Sequence, residues 1–200
     1  MATEGPPRPR LAILGSREWY GPAARRFSAE AGRALARHFS ALELVTNAMD
    51  AVQQTVAEAF LREASRLHRL GPEGLSVRLL TPGDVRGAVA GALLTEELAK
   101  GRGAVTRAVA GSTHAEARRA LGHAADACLL ISGGPGSADI ANRAHEEGRP
   151  VLCVRHTGGA AAGRFWLSEA LRAAPPWLAV QPSGAAAWAT LCRPPEGQGP

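Results

Sequence analysis

The segment Ala127-Cys-Leu-Leu-Ile-Ser-Gly-Gly-Pro-Gly-Ser-Ala-Asp-Ile140 constrains the chain more than any other. Cys128 to Ile131 are apolar without alternation, as in a parallel strand covered on both faces. Gly133, Gly134 and Gly136 then remove the Cβ atoms that would keep a ligand from the backbone. Ser137 is positioned to cap a following helix, whose free N–H groups and positive dipole end would face an anion in the turn. Strand, glycine turn and helix together are the local pattern of a phosphate-binding loop.

A strand of this kind needs a parallel sheet around it, and the chain supplies the units. Leu11 to Leu14 is a short apolar strand ended by Gly15-Ser16-Arg17; Ala23 to Ser40 then places Ala24, Phe27, Ala31, Leu35 and Phe39 at helical spacing. Leu42 to Thr46 is a second strand, followed by Asn47-Ala48-Met49 and a helix from Asp50, a suitable N-cap, to Leu67. Leu75 to Leu80 is a third strand. Asp84 to Thr113 is broken by Gly87, Gly91, Gly101, Gly103 and Gly111 around a possible helix at Val89 to Lys100, and is expected to be an irregular lid or binding loop.

His114 to Ala124 reads as a helix leading into the opening segment, whose helix runs from Ser137 to Glu147 and ends at Gly148. Val151 to Val154 is a fifth strand, Phe165 to Ala173 a helix, Trp177 to Val180 a sixth strand and Ser183 to Leu191 a closing helix. Residues 1–9 and 193–200, rich in proline and glycine, are expected to be disordered tails around one domain spanning 10–192.

The predicted fold is therefore a single Rossmann-like, doubly wound α/β domain. Its six to seven mainly parallel strands carry helices on both faces. In the order 3-2-1-4-5-6, strands 1 and 4 lie side by side where the winding reverses, and the ligand crevice opens between Gly15-Ser16-Arg17 and Ser132 to Ser137.

Composition narrows the partners. Two hundred residues with a net charge of +5 are enough for one self-sufficient core. The arginines are dispersed, lysine occurs only at Lys100, and no basic cluster is interleaved with aromatics, so nucleic acid is not the expected partner. Three separated cysteines, Cys128, Cys153 and Cys192, suggest neither a disulfide framework nor a zinc site. The N-terminal residues lack the pattern of a signal peptide, and no apolar run reaches the roughly 18 residues of a membrane span. The expectation is a cytoplasmic protein without membrane, metal or cofactor.

On the glycine after strand 1, the strand Asp126 to Ile131 and the loop Ser132-Gly-Gly-Pro-Gly-Ser137, the chain resembles the SLOG superfamily of Rossmann-like proteins from about Leu11 to Leu191. That group includes the "lonely guy" phosphoribohydrolases, long labelled lysine decarboxylases. The resemblance implies a nucleotide or other phosphate-bearing ligand, a homodimer, and ligand contacts from Gly15, Ser16, Arg17, Thr46, Asn47, Ser132, Gly133, Gly134, Gly136 and Ser137. The enzymes carry Pro-Gly-Gly-x-Gly-Thr-x-x-Glu; here Ser132 replaces the proline, Ser137 the threonine and Ile140 the catalytic glutamate. Their catalytic arginine falls on Ala117, and Thr46-Asn47-Ala48-Met49 stands in place of their Gly-Gly-Gly turn. Distant members sense ADP-ribose-like nucleotides, and Pro150 to Val154 with Gly158-Gly159 is faintly similar to their corresponding segment.

Cleavage of an N-glycosidic bond needs a carboxylate for the developing positive charge or for water, and a cation for the phosphate. Isoleucine supplies neither function. Asp139 is one position early, about 100° around the helix; with Arg118 or Arg119 it is what a divergent nucleoside 5'-monophosphate phosphoribohydrolase would have left. The favoured reading is a binder of AMP or ADP-ribose type that has lost the hydrolase chemistry. Each residue also has a plainer role: helix caps for Ser16 and Ser137, solvated surface for Arg17, Arg118 and Arg119, dipole complement for Asp139, an isolated histidine for His156, and core or dimer contacts for Trp166, Trp177 and Trp188.

Overall fold

A computed structural model describes residues 8–83 and 92–173. Within them the chain runs β1 (Arg10–Leu14), α1 (Ala24–His38), β2 (Leu42–Thr46), α2 (Ala51–Arg66), β3 (Leu75–Thr81), α3 (Ala92–Ala99), β4 (Val105–Val109), α4 (His114–His123), β5 (Ala127–Ile131), α5 (Pro135–Glu146), β6 (Val151–Val154) and α6 (Glu169–Ala173). The expected strand Trp177 to Val180, the helix Ser183 to Leu191, Cys192 and most of both tails lie outside the described residues.

All six described strands are parallel, in the order β4-β3-β2-β1-β5-β6. β1 is central, and its two faces explain why apolar residues fill the strands without alternation. Leu11 and Ile13 pack with Val52, Val56 and Phe60 of α2 in one core layer, whereas Ala12 and Leu14 pack with Leu121 of α4 and Ala138 and Ala141 of α5 in the other. A sheet covered on both sides in this way hides all of β2 and β5 and Leu11 to Leu14 of β1 from water. Phe60, fully buried, contributes on the order of 1.5–3 kcal/mol by that transfer alone.

Two expectations are corrected. The stretch read as an irregular lid contains β4, which pairs with β3 from Val77↔Val105 to Thr81↔Val109. It is an edge strand: Val105 is buried, but Thr106, Arg107 and Val109 are exposed, so it lacks the continuous apolar run of a central strand. Within the same stretch, α3 occupies Ala92–Ala99. The second correction concerns the helix expected from Phe165, which begins only at Glu169. Phe165 and Trp166 adopt φ of 57° and 59°, in the left-handed region that no right-handed helix can contain.

Candidate functional site

β1 and β5 are neighbours, paired from Leu11↔Ala127 to Leu14↔Leu130, so the loops at their carboxyl ends meet where the winding reverses. The Gly133 N–H donates to Ser16 Oγ at 3.3 Å, Ser16 Oγ donates to the Glu18 carbonyl at 2.6 Å, and Ser137 Oγ donates to the Gly15 carbonyl. Gly15 also lets the start of α2 come close: a Cβ there would lie 2.6 Å from Val52 Cβ and 2.9 Å from Asp50 Oδ1. The β1 loop is thereby pressed against the start of α2 as well as against α5.

The β5 loop is propped from behind. Ser132, at φ 55°, donates its N–H to Thr157 Oγ1 at 2.7 Å and its hydroxyl to the Thr157 carbonyl at 2.6 Å, and Ala160 N–H donates to the Gly133 carbonyl at 2.8 Å. Gly133 turns the chain at φ 83°, where a Cβ would meet Leu130 Cδ1 at 2.8 Å. Ser132 and Gly133 are consequently framework and do not line the cleft: Ser132 is tied to Thr157, and Gly133 to Ala160 on one side and Ser16 on the other.

Gly134 differs. Its backbone is extended (φ −98°, ψ −167°), a Cβ would meet only Tyr20 Oη at 3.7 Å, and it is the N-cap of α5, followed by Pro135 in the first turn. This corrects the capping role expected of Ser137, which lies inside the helix and spends its hydroxyl on Gly15.

These elements enclose a cleft of about 340 Å³, within the usual size of small-molecule sites. Gly15, Ser16 and Arg17 line one wall, and Gly134, Gly136 and Ser137 another. Asn47 and Asp50 close it from the β2–α2 connection, and Arg118 reaches in from α4. A Cβ on Gly136 would lie 2.9 Å from Arg118 Nη1, which shows how near that guanidinium comes to the start of α5. Among the described residues neither Arg17 nor Arg118 closes an ion pair.

Of the residues expected at the site, Thr46 does not reach the cleft. Fully buried, it accepts the Ala48 N–H at 3.0 Å and donates to Gln53 Oε1 at 3.1 Å, bracing the turn in which Asn47 Oδ1 accepts the Met49 N–H. Asp139 points to the outer surface and pairs with Arg143 at 3.1 Å. Ala117, where counting places the enzymes' arginine, is wholly buried, whereas Arg118 beside it lines the cleft; Arg119 is not part of the lining. His156 packs edge-on against Phe27 with centroids 4.9 Å apart, and Trp166 is 85% exposed. Ile140 lines the cleft while remaining 4% exposed, so the position at issue in the resemblance does face the site.

The principal residue that pattern reading undervalued is Asp50. It caps α2, with Oδ1 accepting the Gln53 N–H at 2.8 Å, and it also lines the cleft. Burial pushes its carboxyl up to about 6, against the opposing influence of the Gln53 and Val52 N–H groups and of Arg118 and Arg17. Its position gives the clue: β2 adjoins β1, so the connection after β2 opens on the same edge of the sheet as the two glycine loops. Gln53, Tyr20, Glu18 and Met49 also line the cleft and were missed.

No protein-family profile and no curated protein matches the chain. Solved structures do. TM1055 is 22% identical, with a TM-score of 0.54 over 76% of this chain and 78% of that one. DNA processing protein A (DprA) from Streptococcus pneumoniae is 17% identical, with a TM-score of 0.52 over 72% of this chain and 49% of that one, so the likeness spans about half of DprA. The molybdenum cofactor binding protein from Rippkaea orientalis is 16% identical, with a TM-score of 0.52 over 72% of this chain and 75% of that one. At these identities the shared property is the fold.

Proposed function

We propose that the cleft binds a phosphate-bearing nucleotide of AMP or ADP-ribose type and does not hydrolyse it by the phosphoribohydrolase route. The observation that carries this reading is the convergence of Gly134 and Gly136, at the start of α5, with Arg17 and Arg118 around one cleft. Pro135 has no N–H and the Ser137 N–H donates to the Gly134 carbonyl at 3.1 Å, so the start of α5 offers a phosphate the Gly136 N–H and the positive end of the helix dipole, and a guanidinium matches phosphate geometry. The Gly134 backbone is the open approach to that first turn, because its missing side chain leaves the mouth clear.

Ile140 supports binding over cleavage. The cleft presents an apolar side chain where the enzymes of the resembling family present glutamate, and Asp139 is occupied by Arg143 outside it. The same anion-binding wall suits the molybdenum cofactor, the ligand for which the Rippkaea orientalis protein is named, so that cofactor belongs beside nucleotides in any ligand panel.

A homodimer, as the resemblance implies, belongs to the same proposal and would elute at about twice 20.8 kDa in size-exclusion chromatography. The fully buried thiol of Cys128, with Cys153 2% exposed, supports a reducing, cytoplasmic setting, and among the described residues no helix is long and apolar enough to cross a membrane.

Thermal unfolding against AMP, ADP-ribose and other nucleotides tests the reading. Binding raises the melting temperature as ligand concentration exceeds Kd, and Gly134→Val abolishes the rise. A panel without any shift overturns the nucleotide reading; release of free base from a nucleoside monophosphate by the purified protein overturns the loss of hydrolysis.

A further inference from the structure

Asp50 places a carboxylate in a cleft otherwise suited to an anion. Its capping role explains part of this: Oδ1 accepts the Gln53 N–H at 2.8 Å, and the Val52 N–H also acts on the group. Capping alone does not require the charge, since asparagine and serine cap a helix about as well as aspartate. Nor is the charge neutralised by a close partner, because no ion pair to Asp50 forms among the described residues and Arg118 and Arg17 act on it only through space. Burial makes the ionised form costly. A carboxylate has about four lone-pair positions, and the Gln53 N–H at 2.8 Å takes one of them, so a carboxylate that lines the cleft keeps acceptor capacity.

Position adds a second constraint. The carboxylate lies against the β1 loop, with Oδ1 2.9 Å from where a Gly15 Cβ would stand, and so flanks the wall formed by Gly15 and Ser16. Asp50, Arg118, the Gly15-Ser16 wall and the start of α5 line the same cleft, so the carboxylate is among the groups available to whatever part of a ligand extends beyond a phosphate at α5. A hydroxyl placed directly against this carboxylate would find an acceptor there, which a phosphate oxygen would not.

We propose that Asp50 is a specificity-determining residue whose carboxylate accepts hydrogen bonds from hydroxyls on the ligand's sugar, so that the cleft selects phosphate esters of polyols, ribonucleotides among them, over inorganic phosphate and deoxygenated analogues. This rests on the phosphate-binding reading above and names the part of the ligand that lies beyond the phosphate. Hydrogen bonds to charged groups carry discrimination of roughly 10- to 100-fold when the partner is removed from the ligand.

Titration calorimetry of the full chain and of Asp50→Asn with AMP, 2',3'-dideoxyadenosine monophosphate and inorganic phosphate provides the test. The native protein is expected to prefer AMP to the dideoxy compound by roughly 10- to 100-fold. Asp50→Asn, which keeps the cap, is expected to collapse that preference by weakening AMP while leaving the dideoxy compound unchanged or tighter. Asp50→Ser, another capping residue, gives the same readout should the asparagine variant not fold. AMP binding with equal affinity for both nucleotides, or with a preference intact in Asp50→Asn, overturns the role of Asp50 and leaves the phosphate-binding reading standing. Binding of none of the three probes overturns both.

Discussion

The backbone N–H of Gly133 donates to the Ser16 hydroxyl at 3.3 Å, joining two loops 117 residues apart at the point where the sheet reverses its winding. The Ser137 hydroxyl, donating to the Gly15 carbonyl, makes a second tie between the same two loops. The cleft is therefore held open by its own walls. Ser16→Ala leaves the buried Gly133 N–H without that acceptor and is expected to cost about 1–3 kcal/mol. Urea unfolding measures this; an unchanged midpoint would show that the tie carries no stability.

Neighbouring glycines in the β5 loop should respond in opposite ways. Gly133→Ala forces a side chain into φ 83° and within 2.8 Å of Leu130 Cδ1, so it should lower stability by about 1–3 kcal/mol or more. Gly134→Ala meets only Tyr20 Oη at 3.7 Å on an extended backbone and should leave the melting temperature nearly unchanged. Equal destabilisation by the two would contradict the division between framework and mouth.

Asp139→Asn removes an exposed (i,i+4) partner of Arg143. Such pairs are worth about 0.3–0.5 kcal/mol, and the side chain lies outside the cleft, so nucleotide affinity should not change. A fall in affinity, or loss of a base-releasing activity in this variant, would restore Asp139 to the site.

Asp50 should make its mark on stability as a function of pH. Its carboxyl titrates at about 6 in the folded chain against 3.8 when free, so the folded state binds this proton more tightly than the unfolded state does. The stabilisation is complete below about pH 4 and is lost as pH rises through 6, by at most about 3 kcal/mol. Glu63 runs the other way: Arg66 and Arg37 hold it down at about 2, and its contribution disappears as pH falls below its ordinary value of 4.5. Comparing native protein with Asp50→Asn isolates the first effect. Asp50→Asn should match the native chain near pH 4 and exceed it in stability at pH 8; a constant difference across that range would contradict the desolvated carboxylate.

The architecture was legible because it rests on strong, local signals. Apolar runs such as Cys128 to Ile131 announce strands buried on both faces, and the Rossmann-like order then brings Gly15 and Gly134 together. β4 was not legible because Thr106, Arg107 and Val109 face water on an edge. The left-handed turn at Phe165 and Trp166 likewise had no signature, since neither residue favours that conformation. Within the site, residue type could not distinguish Ser132, whose hydroxyl turns back to Thr157, from Ser16, which lines the cleft. Asp50 was recognised as a cap, and only the folded chain adds that the same carboxylate borders the cleft.

The most direct measurement is a crystal structure of the protein grown with AMP. The phosphate is expected at the N-terminus of α5, within hydrogen-bond distance of the backbone at Gly134 to Gly136 and of Arg118 or Arg17, with the glycosidic bond intact. An empty cleft at saturating AMP, a nucleotide seated elsewhere, or density for separated base and sugar phosphate would contradict it.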